Sequence, residues 1–185
     1  MSAIAVVPIG SVAEGLLTRL AKSIGERFRS AVSHQALRFD PSLAFDSYRN
    51  QYNSTMFLSL LLNGFDETEG RIVGVTDYDL FVPVLTFVFG EAQLNGKVAV
   101  VSGFRLRPEY YGLRADRALL ESRIEKEAIH EVGHTFGLLH CIDPTCVMHS
   151  STYAEDIDLK GSSPCRRCHF QLFPADSATA IESPQ

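Results

Sequence analysis

The feature that most constrains this chain is the segment His130-Glu-Val-Gly-His134-Thr-Phe-Gly137-Leu-Leu-His140. Residues four apart share one face of a helix, so His130 and His134 are predicted to aim their imidazoles at one point. A glycine in the left-handed conformation commonly ends a helix, and Gly137 would let the chain turn back. On a continuing helix, His140 would lie on the opposite side. The spacing therefore predicts a helix that ends near Gly137 and three imidazoles around one metal ion.

Glu131 follows the first histidine and is predicted to reach a water molecule on the metal without being a ligand. Zn²⁺ held by neutral imidazoles lowers the pKa of its water to about 7. A carboxylate beside that water can take its proton as the oxygen attacks a carbonyl carbon. The alternative is that these histidines are solvated or hydrogen-bonded in the core. The glycine at the required turn favours a zinc site.

Four cysteines form a second cluster of candidate ligands within a short stretch of the chain: Cys141, Cys146, Cys165 and Cys168. Four thiolates are the set that a closed, tetrahedral structural zinc requires. Two disulfides or a redox-active Cys-x-x-Cys are the alternatives, and the tight clustering in a chain without a secretory signal argues against them. We predict a structural zinc that holds an irregular C-terminal lobe together, with His149 and His169 as surface residues rather than ligands.

Composition narrows the classes of partner. The formal net charge is -5, and Lys and Arg are scattered rather than gathered into a stripe. Nucleic-acid binding needs such a stripe to neutralise phosphates, so no nucleic-acid partner is expected. The apolar runs are too short to span a bilayer, so no membrane association is expected. The N-terminus lacks the pattern of a secretory signal, which predicts a cytoplasmic protein.

The predicted elements alternate between strand and helix. In chain order they are a strand at 3–7, a helix capped by Ser11 and running to 28, a strand at 35–39, a helix at 51–62, a strand at 72–76, strands at 86–93 and 97–104 joined through Asn95-Gly96, a helix at 116–136 and a short helix near 165–172. This order predicts an α/β (α+β) fold, a mixed twisted sheet with helices packed on it.

The length of 185 residues fits a single domain. We predict one domain over residues 1–173, with an N-terminal lobe at 1–137 and a C-terminal lobe at 138–173. Residues 174–185 are predicted to form a flexible tail. The protein is expected to be a monomer.

A family resemblance sharpens this interpretation. The HExxHxxGxxH pattern followed by Met148 is typical of metzincins. The added order His140-Cys141, then Cys146-Val-Met148, then Cys165-Arg-Arg-Cys168 resembles the archaemetzincins, as do Gly74-Val-Thr-Asp-Tyr-Asp-Leu80 and Phe89-Gly-Glu-Ala-Gln93. The resemblance implies a metzincin-like fold with an active-site helix.

The resemblance also implies roles for particular residues. It places a catalytic zinc on His130, His134 and His140, with Glu131 as general base and Met148 as a hydrophobic floor under the ligands. Core filling is the commoner role of a methionine and is the alternative for Met148. Together with the cysteine site, two zinc ions per chain are expected.

Metzincins bind an extended peptide along an edge strand above the active-site helix, because an exposed strand edge supplies backbone hydrogen bonds. We predict that the strand at 86–93 is this edge, with Phe87, Phe89, Gly90 and Ala92 contacting substrate. An ordinary sheet edge or an interior strand is the alternative.

The predicted activity is a zinc metalloprotease that hydrolyses peptide bonds in a peptide or small protein. Two other functions remain open: a non-enzymatic, zinc-stabilised peptide-binding protein with an occluded three-histidine site, and a hydrolase of non-peptide amides. Glu131 argues against the first, because a structural site has no use for a base. Spacing does not separate aminopeptidase from endopeptidase action.

Overall fold

A computed structural model of the chain describes residues 3–65 and 70–179. Its strands are β1 (Ile4–Ile9), β2 (Val32–His34), β3 (Phe45–Asp46), β4 (Gln51–Asn53), β5 (Arg71–Thr76), β6 (Leu80–Phe81), β7 (Gly90–Ala92) and β8 (Val98–Ser102). Its α-helices are α1 (Glu14–Phe28), α2 (Ser54–Gly64), α3 (Arg117–Thr135), α4 (Ala154–Leu159), α5 (Arg166–Leu172) and α6 (Pro174–Thr179).

Five strands form a central mixed sheet in the order β2-β1-β5-β8-β7. The first four are parallel, and β7 runs antiparallel to β8 at one edge. A smaller sheet has the order β3-β4-β6. The prediction of a mixed α/β fold with packed helices is confirmed.

Both faces of the central sheet are covered. On one face, Ile4 and Val6 of β1 share a core with α1 and α3, while on the other face Ala5 and Val7 share a core with α2. A strand buried on both sides needs apolar residues at every position, which explains the continuous run in β1. The predicted stripe of α1 is confirmed, since its four members are buried: Leu16, Leu20, Ile24 and Phe28.

Helix α3 carries the first two histidines, and both its ends follow from local chemistry. The Asp116 side chain caps the start by accepting a hydrogen bond from Leu119 N at 2.9 Å. At the other end, Gly137 has a φ of +87°, and its N–H donates to His134 O at 2.9 Å. A glycine accepts this backbone conformation without the clash that a Cβ would cause. The predicted turn at Gly137 is confirmed.

Three predicted element boundaries were wrong. Helix α1 begins after Ala13, which makes no side-chain cap, so Ser11 does not cap it. The second strand lies at 32–34 rather than 35–39. Residues 51–53 form a strand instead of the start of a helix, because the Asn53 side chain accepts a hydrogen bond from Met56 N and caps α2 there.

Two further segments also differ from expectation. Of residues 86–93, only Gly90–Ala92 form a strand. In the region predicted as a tail, Pro174–Thr179 form α6, where Asp176 accepts contacts from Arg29 at 2.6 Å and His169 at 2.8 Å. Residues 180–185 of that region lie outside the described part of the chain, and the domain boundaries stay predictions. Among the described residues, no helix combines the length and apolarity needed to cross a membrane.

The cap on α3 yields a stability prediction. Replacing Asp116 with Ala removes the acceptor for Leu119 N, so we expect the free energy of unfolding to fall by about 1 kcal/mol in urea denaturation. Asp116→Asn is the matched control, because asparagine caps helices about as well. An alanine variant as stable as the wild type would contradict the role of this cap.

Candidate active site

The structure brings the three motif histidines together. The ring centroids are 4.6 Å apart for His130 and His134, 5.3 Å for His130 and His140, and 5.0 Å for His134 and His140. One nitrogen of each ring lies within 4.8 Å of the others. The first two come from one face of α3, and the turn at Gly137 returns His140 to them, as the spacing predicts.

Two backbone carbonyls orient the rings of α3. His130 Nδ1 lies 2.9 Å from Val147 O, and His134 Nδ1 lies 2.7 Å from Leu138 O. A carbonyl oxygen only accepts, so each Nδ1 carries the hydrogen and donates it. In the neutral rings, each Nε2 is then left with a bare lone pair.

These two nitrogens lie close together. The Nε2 atoms of His130 and His134 are 3.1 Å apart, too close for two acceptors without a positive centre between or beside them. Two nitrogens on a tetrahedral zinc with bonds of 2.0–2.1 Å are separated by about 3.3 Å. The donor set and its spacing therefore fit a zinc ion.

The surroundings keep the histidines neutral. Burial holds the pKa of His130 well below its usual range, and the positive charge of Lys160 acts in the same direction. Burial also lowers the pKa of His134 and of His140. Because only the neutral imidazole offers a lone pair to a metal, these shifts keep the site ready to bind a cation over a wider pH range.

Glu131 lies beside the histidines and is almost fully buried, with 6% of its surface exposed. Burial raises the pKa of its carboxyl well above the usual range, and the nearby carboxylate of Glu127 adds to the rise. A divalent cation at the histidines would oppose that shift, because it favours the charged carboxylate. A carboxylate at this place can act as a proton acceptor.

The strand above α3 approaches Glu131 closely at a glycine. A Cβ added to Gly90 would lie 2.6 Å from Glu131 Cγ and 2.8 Å from its Oε1. Those distances are far shorter than normal contacts, so the position of the carboxylate depends on the absence of a side chain at Gly90.

A cavity of about 340 Å³ opens onto these groups. Its walls come from three parts of the chain: residues 85–90, Glu127 with His130 and Glu131 of α3, and His140 with residues 150–152. Among the four predicted substrate contacts, Phe87, Phe89 and Gly90 line the cavity, whereas Ala92 does not. Ala92 packs against the core instead.

Met148 lies directly under the active-site helix. It is fully buried, and a Cβ added to Gly133 would sit 2.5 Å from its Sδ. The Met148 carbonyl accepts a hydrogen bond from Cys141 N at 2.9 Å. The methionine thus packs against α3 at Gly133, directly before His134.

The four cysteines form a second cluster, with all four sulfurs within 4.8 Å of one another and none in a disulfide. Cys141 Sγ and Cys165 Sγ are 3.7 Å apart, and two sulfurs on a tetrahedral zinc with bonds of 2.3 Å are separated by about 3.8 Å. Burial raises the pKa of Cys146 and of Cys168, so a cation is needed to hold them as thiolates. The cluster fits a zinc ion and not a pair of disulfides.

Sequence reasoning missed several contributors. Glu127 in the cavity wall, Lys160 behind it and the carbonyls of Val147 and Leu138 carry no local pattern that marks them. The motif spacing did identify the residues that these groups support. Among the described residues, the three histidines and the four cysteines are the groups of side chains arranged to hold a metal ion.

Comparison with known proteins identifies the family to which the chain belongs. The sequence model of peptidase family M54 matches residues 35–173. The archaemetzincin of Methanocaldococcus jannaschii is 41% identical over 165 residues, which is 89% of each chain. The archaemetzincin of Pyrococcus furiosus is 41% identical over 171 residues, also 89% of each chain.

Solved structures agree with these relatives. The archaemetzincin of Methanopyrus kandleri superposes with a TM-score of 0.82 at 33% identity, covering 95% of both chains. A zinc-dependent peptidase from Methanocorpusculum labreanum gives a TM-score of 0.82 at 33% identity, covering 92% of this chain and 100% of that one. Since the family pattern spans most of the chain, this protein belongs to peptidase family M54, the archaemetzincins, and is a zinc-dependent metallopeptidase.

Proposed function

We propose that His130, His134 and His140 hold the catalytic zinc and that Glu131 is the general base. The observation that carries this assignment is the 3.1 Å separation of the two Nε2 atoms of His130 and His134, each left with a bare lone pair because its Nδ1 donates to a carbonyl. The Glu131 carboxyl lies in the same cavity wall as His130 and His140. A purely structural site would have no use for a buried acid at that place.

A zinc ion bound there would act as a Lewis acid that polarises the substrate carbonyl and makes a water molecule acidic. Glu131 would accept a proton from the water as the water oxygen bonds to the carbonyl carbon, and would deliver that proton to the peptide nitrogen as the C–N bond breaks. The carbonyls of Val147 and Leu138 keep the rings of His130 and His134 in the required tautomer.

The substrate is proposed to lie along the outer side of β7. This strand ends the central sheet, and residues just before it line the cavity beside the histidines. The substrate contacts are then Phe87, Phe89 and Gly90, with Ala92 contributing backbone only. An added strand gains main-chain hydrogen bonds with little demand on sequence.

A second, structural zinc is proposed on Cys141, Cys146, Cys165 and Cys168, which makes two zinc ions per chain. The backbone N–H of Cys165 donates to Cys146 Sγ at 3.2 Å, the kind of outer hydrogen bond that stabilises a thiolate ligand. This site joins the segment after His140 to the start of α5.

The shape of the site bears on the alternative functions. A non-enzymatic peptide-binding role is disfavoured because the cavity opens directly onto the histidines and Glu131. Aminopeptidase and endopeptidase action stay open, and short peptides with free and blocked N-termini would separate them. The monomeric state, the cytoplasmic location and the absence of nucleic-acid or membrane partners stay predictions.

The role of Glu131 is tested by Glu131→Gln. Glutamine keeps the shape of the side chain and loses its capacity to take a proton, so we expect kcat on a peptide substrate to fall by about 10²–10⁴-fold. Zinc content, measured by atomic emission, should stay at the wild-type value. Undiminished hydrolysis in this variant would refute the assignment.

The close approach at Gly90 gives a second test. Gly90→Ala places a methyl group against both Glu131 Cγ and the backbone oxygen of Val100, so we expect β7 and Glu131 to shift apart and kcat to fall while zinc content is retained. Gly15→Ala is the matched control, since the space around Gly15 is open and alanine favours the helix. An active Gly90→Ala enzyme would show that Glu131 need not keep its described position.

The metal assignments predict two zinc ions per chain, one lost readily to a chelator and one retained. Cys168→Ser should remove the retained ion and lower the melting temperature strongly, because binding at structural sites of this kind is worth about 10–16 kcal/mol. His134→Ala should remove the labile ion with a smaller effect on melting. A wild-type chain with a single zinc would overturn the scheme.

A further inference from the structure

A buried lysine lies behind the histidine cluster. Lys160 follows α4, and its side chain has no exposed surface. Its Nζ lies 2.8 Å from Glu127 Oε1 and donates to His149 O at 3.0 Å. Removing an ammonium group from water is costly, and the contacts with Glu127 and His149 O offset that cost.

The two partners of Lys160 lie on different segments of the chain. Glu127 belongs to α3, one helical turn before His130 and Glu131, and is itself buried. Within the described residues, its Oε1 has no partner of regular hydrogen-bond geometry, so the lysine charge is what compensates it. His149 belongs to the turn that follows Met148. Lys160 therefore joins the active-site helix to that turn.

The turn at 148–149 holds Cys141, the residue that follows the third histidine, in place. His149 Nδ1 donates to Cys141 O at 2.9 Å, and Cys141 N donates to Met148 O at 2.9 Å. Both backbone groups of Cys141 are thus fixed by residues 148 and 149. His140 precedes Cys141 directly, so its backbone position is set by the same turn.

We infer that Lys160 is a positioning residue for His140: its ion pair with Glu127 fixes the turn at 148–149, and through Cys141 fixes the third histidine against the two on α3. This inference rests on the proposed three-histidine zinc site. On this inference, the Glu127–Lys160 pair helps to place His140 where it can bind zinc together with His130 and His134.

Other contacts already attach α4 to α3 without touching the turn. Arg123 pairs with Asp158 through two contacts of 2.8 and 2.6 Å. Lys126 Nζ donates to Ile157 O at 2.9 Å and to Asp158 O at 3.3 Å. These residues dock the helix, whereas Lys160 alone among the three reaches both Glu127 and His149.

Charge and position predict opposite effects for loss of Lys160. A positive group near a cation site repels the cation, so electrostatics alone predicts that Lys160→Met binds zinc more tightly. The positioning role predicts weaker binding, because outer groups that orient metal ligands contribute about 10–100-fold to affinity. Whether zinc affinity rises or falls in Lys160→Met therefore distinguishes the electrostatic effect from the positioning role.

The experiment measures zinc affinity at the labile site by competition with a chromophoric chelator, while the cysteine site stays loaded. We expect Lys160→Met to weaken binding by about 10–100-fold. The absorption spectrum of the Co²⁺-substituted site should change with it, since it reports ligand geometry. Lys126→Met is the matched control: it removes the same charge between the same helices, and we expect its affinity and spectrum to stay at the wild-type values.

A second variant distinguishes a loss of zinc affinity from a general loss of folding. Glu127→Leu combined with Lys160→Met replaces the buried pair by apolar groups, an exchange that is often neutral for stability. We expect this double variant to fold, to melt near the wild-type temperature and still to bind the labile zinc weakly.

Three results would overturn the inference. They are affinity in Lys160→Met that equals or exceeds the wild type, an equal loss in Lys126→Met, and wild-type affinity in the double variant. A wild-type chain that holds only the cysteine-bound zinc would instead refute the proposed function, and the inference with it.

Discussion

The site depends on two hydrogen bonds from histidine rings to backbone carbonyls. Because His130 and His134 each donate Nδ1–H to a carbonyl, their Nε2 lone pairs converge at 3.1 Å. One carbonyl belongs to Leu138, just past the helix end, and the other to Val147, before the methionine turn. The chain on both sides of His140 therefore has to be in place before α3 can present its histidines correctly. The turn at Gly137, the burial of Met148 and the cysteine cluster all help to hold these two chain segments in position.

The central sheet supplies the rigid base for this arrangement. Helix α3 packs on β8 through residues such as Ala128 and Ile129, and β7 is held at the sheet edge by β8. The strand and the helix that form the two sides of the cavity are thus fixed to the same element. Gly90 lets them approach closely enough that the base and the edge strand touch.

Sequence alone predicted the parts of the site that depend on local spacing. The period of α3 and the glycine at its end lie within a few residues of each other, so the histidine cluster follows from the motif. The cysteine cluster was predicted from four cysteines within one short stretch of the chain, Cys141 to Cys168. The boundary of α2 was wrong because the Asn53 side-chain cap decides it, and that of β2 was wrong because pairing with β1 sets its position. The limited extent of β7 was missed for a similar reason, since pairing with β8 sets its length.

The Glu127–Lys160 ion pair could not be predicted from the sequence, for a different reason. A lysine and a glutamate usually lie on the surface, and nothing in their neighbours marks these two as buried. Only the docking of α4 onto α3 brings them together.

The direct succession of His140 and Cys141 has a thermodynamic consequence. On the proposed assignment, one peptide bond spans two coordination spheres, so an ion at either site orders the backbone that the other needs. The first ion to bind lowers the entropic cost of the second, and the two affinities are linked reciprocally. An ion on the cysteines then raises the zinc affinity of the histidine site, although the weaker histidine site still empties first as free zinc falls.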